Sequence, residues 1–173
     1  MTNIIKSFVV IIAIFILTGC GRQSILSNSL IPNLDNNVTF NSPVKLIVDG
    51  GREKDALGIP EISNESLFYA VKKSIEDSKI FTSVVPSDAT YTIDLFIVKV
   101  GQPVAGLKMK VNVELAWTLK KDNKIIWKKS IITSKIKTSE EIGMGLERLI
   151  VATEEATKMN IKEGLKQITM LKL

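Results

Sequence analysis

No histidine occurs among the 173 residues. Its absence removes His-based catalytic triads, His metal sites and the commonest general base near neutral pH. Any catalysis would fall to carboxylates, lysines or hydroxyls. There is one cysteine, Cys20, so the chain cannot build an internal disulfide or a thiolate metal cluster. The acidic neighbours Glu140/Glu141 and Glu154/Glu155 are adjacent on an expected helix, where successive side chains point in different directions. Capping or solvated roles suit them better than paired acid–base work. Gly50, Gly51, Arg52 and Gly58 lack the spacing and the Gly-Lys-Ser/Thr ending of a phosphate loop, and they lead to Pro60 rather than into a helix. For Arg52 and Asp55 a local salt bridge is the simplest role. These absences argue against an enzyme and predict no catalytic residues, no metal and no resident cofactor.

Long hydrophobic runs are also scarce, and the longest covers only residues 8–17. About 10 apolar residues fit the core of an export signal, whereas about 20 are needed to span a bilayer. Lys6 precedes the run, and Leu17-Thr18-Gly19-Cys20 closes it. This arrangement resembles the lipobox of bacterial lipoproteins. The resemblance implies that residues 1–19 are a signal peptide, that Thr18 and Gly19 are the small residues before the cut, and that Cys20 carries a covalent lipid. Gly21 stands where many Gram-negative lipoproteins carry an aspartate for inner-membrane retention. The expected location is therefore the outer membrane, periplasmic side, or the outer face of the plasma membrane in a Gram-positive host. Two or three acyl chains make such attachment effectively permanent.

The whole chain has 23 basic and 18 acidic side chains, a formal charge of +5. Lysines such as Lys120, Lys121, Lys124, Lys128 and Lys129 are scattered along the expected elements, as on solvated faces that also tolerate anionic headgroups or glycans. No groove-reading motif points to nucleic acid.

Residues 20–42, rich in Ser and Asn and containing Pro32, read as the lipidated cysteine and a tether. Residues 43–173 read as a single α+β domain. Apolar runs predict strands over residues 44–48 and 82–85. Alternation predicts longer strands over 90–100, 107–119 and 125–137, with Trp117 in the apolar register of its strand. The 3.6-residue period predicts a helix from an Asn64 N-cap to about Lys79, with Leu67, Phe68, Ala70, Val71 and Ile75 inward. A second helix is expected behind a Thr138/Glu141 capping box, with Leu146, Leu149 and Ile150 beginning its buried stripe and a break near Asn160 or Gly164. The order β-α-β-β-β-α predicts a two-layer sandwich: a mainly antiparallel sheet of four to five strands, with two helices on one face.

The Asp49-Gly50-Gly51-Arg52 turn after the first strand, the segment Asp88-Ala89-Thr90-Tyr91-Thr92-Ile93 opening a long strand, the Asp122-Asn123 hairpin and the closing helix together resemble the YajG-type envelope lipoproteins. The similarity covers about residues 44–168 and extends to auxiliary lipoproteins of envelope transport systems. It implies a noncatalytic, periplasm-facing lipoprotein, with the membrane and an envelope protein as partners. A lipid or small-ligand binder is the alternative. Strict alternation turns Phe96 and Val98 to the face away from the helices, toward which Lys108 and Lys110 also point. These four residues are the candidate interaction surface, unless residues 25–34 cover it.

Overall fold

The computed structural model describes residues 24–171. The signal segment and the lipobox residues Leu17, Thr18, Gly19 and Cys20 lie outside the described residues. The elements are β1 (Val44–Asp49), α1 (Asn64–Ser78), β2 (Val84–Val85), β3 (Tyr91–Gly101), β4 (Lys108–Lys121), β5 (Lys124–Thr138) and α2 (Gly145–Thr169). They form the expected α+β sandwich, with strand order β2-β1-β3-β4-β5. β1 runs parallel to β2 and β3, while β3, β4 and β5 are antiparallel. A parallel β1–β3 pair requires a crossover, and α1 supplies it on the way.

Local chemistry sets these elements. Asp122 and Asn123 take left-handed φ angles of 48° and 64°, which make the two-residue turn between β4 and β5. At the end of β1, Gly50 has φ 83°, and a Cβ on Gly51 would lie 2.6 Å from the Asn64 nitrogen. Only glycine allows the chain to pass so close to α1. The helix is capped by Ser63, whose hydroxyl accepts from the Ser66 N–H, and not by Asn64 as expected. The Asn64 side chain is already engaged, its Oδ1 accepting from the Gly51 N–H at 2.7 Å.

The core centres on Trp117, which is fully buried between β4 and α2. Its indole N–H donates to Asn160 Oδ1 at 3.0 Å. The same amide donates through Nδ2 to the carbonyls of Val113 and Ile131, on β4 and β5. All of its hydrogens are therefore used in a fully buried position. One turn later, a Cβ on Gly164 would sit 2.3 Å from the Trp117 ring. The expected break near Asn160 or Gly164 does not occur, because these two residues form the seat of the indole within a continuous helix.

Two other expectations fail for local reasons. Glu141 does accept from the Thr138 N–H at 2.8 Å, but this closes a turn, and α2 begins only at Gly145. Leu146 and Phe68 are exposed rather than inward. Arg148 enters the interior instead and donates to the carbonyls of Ile142, Gly143 and Gly106, binding the two loops at that end of the sheet.

The segment expected as a tether is part of the domain from about residue 25. Ile25 and Leu30 are buried, and a single turn of 3-10 helix, Ser27–Leu30, touches both helices. The Leu26 N–H donates to Glu154 Oε1, the Asn36 amide to the Ser78 carbonyl, and the Phe40 N–H to the Ile80 carbonyl. Phe40 then packs on Phe81 and Tyr91. The apolar content of this stretch, Ile25, Leu30, Ile31 and Leu34, has a physical outlet in the groove between the helices.

Two predictions test this packing. Gly164→Ala should lower stability by about 1–3 kcal/mol through overpacking against Trp117, although helix propensity alone favours alanine by about 1 kcal/mol. The sign of the change in thermal unfolding decides between them. Leu30→Ala should cost about 2–5 kcal/mol, the range for a core leucine, whereas a free tether would leave the melting temperature unchanged.

Candidate interaction face

Because both helices and residues 25–40 lie on one side, the opposite side of the sheet is uncovered among the described residues. Its outward residues follow from the register. Asp49, Phe96, Ala116 and Ser130 form one row across the strands, and Ile47, Asp94, Thr118 and Lys128 form the next. The small side chains of Ala116 and Thr118 leave a shallow hollow of about 530 Å³ between Phe96, Ile47 and Lys128. A neighbouring hollow of about 330 Å³, lined by Lys45, Thr92 and Lys120, shares Ile47 with it. Phe96 is 52% exposed and Ile132 66% exposed. Val98 and Ile136 are also exposed.

The four residues expected as an interaction surface are thus all exposed, but they do not form one cluster. Val98 stands at the irregularity in β3 between Ile97 and Lys99. The β3–β4 pairing ends at Gly101↔Asn112, whereas Lys110 pairs with Ile136 and Lys108 with Thr138. From Ala116 beside Phe96 to Lys110 the strand rises about 20 Å at ~3.4 Å per residue. The lysine that lines the hollow with Phe96 is Lys128. Lys110 instead neighbours the isoleucine ladder of β5. The segment considered as a cover over this face, residues 25–34, lies on the helical side instead.

Sequence reasoning missed Lys128, Ile132 and Ile136 because of a second irregularity, between Leu119 and Lys120. Without it, continuing the Lys121↔Lys124 register would turn the even residues of β5 inward. The extra residue, Ile126, exchanges the two faces of everything after it.

Several other charged groups are held in structural pairs. Arg52 pairs with Glu61 rather than Asp55, and Asp55 instead accepts from the Leu57 and Ile59 N–H groups in its own turn. Glu155 bridges Lys135 and Lys137 of β5. Burial pushes its carboxyl up, but the hydrogen bonds and charges of those lysines outweigh that and hold it below the ordinary value. On the open face Asp94 pairs with Lys120. Among the described residues no three His, Cys, Asp or Glu side chains are grouped to hold a metal, and no helix is long and apolar enough to cross a membrane. One more cavity, of about 230 Å³, opens on the helical side between Leu34, Asn36, Ile80, Lys162 and Lys166. Both the open face and this cavity present groups suited to binding, apolar side chains beside ammonium groups.

The same fold occurs in solved bacterial proteins. A Xanthomonas campestris protein described with the DUF330 family superposes with a TM-score of 0.59 at 13% identity, covering 82% of this chain and 90% of its own. A hypothetical protein of Chlamydia trachomatis gives 0.56 at 10% identity, over 75% and 96% of the two chains. An uncharacterized lipoprotein B from Nitrosomonas europaea gives 0.53 at 13% identity, over 79% and 89%. No family model and no curated protein matches the sequence. At these identities the likeness is one of fold.

Proposed function

We propose that this protein is a noncatalytic envelope lipoprotein of the YajG-like kind, anchored through acylated Cys20 on the periplasmic side of the outer membrane. It acts there as an accessory module that docks a protein component of a cell-envelope machine. The observation that carries the docking role is the contrast between the two sides of the sheet. One side is covered by two helices and residues 25–40, while the other leaves Phe96, Val98, Ile132 and Ile136 in solvent. Exposed apolar side chains interspersed with Lys99, Lys110 and Lys128 suit a partner patch that is apolar at its centre and acidic at its margin. The sequence of residues 6–20 supports the anchor. The fold shared with a Nitrosomonas europaea lipoprotein is compatible with it.

A lipid or small-ligand reading has one observation in its favour. The cavity lined by Asp35, Lys162 and Lys166 is large enough for a small polar group.

Cys20→Ser should abolish labelling by radioactive palmitate and release the exported chain from membranes, and retained labelling contradicts the anchor. For the docking role, Phe96→Ser/Ile132→Ser should preserve the melting temperature, because both side chains are already exposed. The double variant should lose the stoichiometric partner recovered by crosslinking in whole envelopes. Recovery of the same partner in undiminished yield rules out the sheet face, and co-purification of lipid with no protein favours the second reading.

A further inference from the structure

We infer that the helical layer faces the bilayer, with the surface around Leu26, Lys158, Met159, Lys162 and Lys166 against phospholipid headgroups and the open sheet face directed away from the membrane. The inference rests on the acylation of Cys20 proposed above. Its geometric basis is where the packed chain begins. Ile25 is buried and the Leu26 N–H is bound to Glu154 of α2, so the chain is fixed to the helical side within a few residues of the anchor. Only residues 21–24 separate Cys20 from Ile25. Even fully extended, the five residue steps from Cys20 to Ile25 reach about 17 Å at ~3.3 Å per residue.

The body on this leash is larger than the leash. A domain of about 150 residues has a radius of gyration near 15 Å, equivalent to a sphere of about 19 Å radius. A surface point held within about 17 Å of a plane must then lie within roughly 85° of the point of contact, on the hemisphere that faces the bilayer. The attachment side therefore turns toward the bilayer and the opposite side, the open sheet, turns away.

The chemistry of the attachment side fits that position. Lys158, Lys162 and Lys166 recur every fourth residue along α2, on the flank that starts at Glu154, where the incoming chain is bound. None of the three has an ion pair among the described residues, whereas Lys72 and Lys73 on α1 are paired with Glu76 and Asp77. Leu26 is 51% exposed and Met159 46% exposed, with no cover from the rest of the domain. Ammonium groups beside a few apolar side chains match an anionic lipid surface.

With Cys20 acylated, an engineered cysteine would be the sole free thiol. Leu26→Cys, Met159→Cys, Phe96→Cys and Ile132→Cys, all at exposed positions, can each be labelled with bimane. The full acylated chain is then reconstituted into phosphatidylethanolamine–phosphatidylglycerol vesicles containing a lipid spin-labelled on its headgroup. Quenching should be several-fold stronger at positions 26 and 159 than at 96 and 132. Equal quenching at all four, or stronger quenching at 96 and 132, in protein that floats with the vesicles overturns the orientation alone. Protein that fails to float refutes the acylated-cysteine reading and the orientation with it.

Discussion

The contact between Trp117 and the Asn160–Gly164 turn of α2 is the constraint on which the rest of the structure depends. An indole lying across a helix needs a missing side chain beneath it and a partner for its N–H, and Gly164 and Asn160 supply these one turn apart. Asn160 also ties β4 to β5 through two strand carbonyls, so one buried side chain fixes the helix, the indole and the hairpin in a single register. A buried polar group of this kind is favourable only when every hydrogen is used, as it is here. Once α2 is seated, the groove between it and α1 has a defined width, and Leu30 fills it.

Much of this was legible in the sequence for a physical reason. The alternation in β3 and β4 places Ile93, Leu95, Trp117 and Leu119 inward without knowledge of any partner, and Asp122-Asn123 fixes where the hairpin turns. What escaped were features decided by tertiary contact. Asn160 and Gly164 look like helix breakers until the indole opposite them is known. Ile126 looks like one residue of a regular strand until the pairing with β4 shows the bulge that reverses the faces of β5. Residues 25–40 have linker composition, and their few apolar side chains gain significance only when two helices offer a groove. Of the candidate surface, Phe96 and Val98 could be placed from alternation. Their neighbours could not, because Lys108 and Lys110 run past the end of β3 and Lys128 depends on the bulge.

These corrections change the functional geometry. A long tether would let the domain take any orientation and a range of heights above the membrane. With Cys20 acylated as proposed, a packed amino-terminal segment would instead join the anchor to the helical layer and make the bilayer and the open sheet face opposite poles of one body. On that proposal a docking face would be held at a fixed height and presented outward, and its encounter with a partner would lose less rotational freedom than that of a domain on a loose chain.

The separation between the domain and the bilayer tests this account most directly. Neutron reflectometry on the acylated protein in a supported bilayer should show a protein layer about 40 Å thick, the diameter expected for this domain, starting at the headgroups. A water-filled gap of several tens of ångströms between headgroups and protein would show that residues 24–40 unpack into a spacer, and would contradict the account.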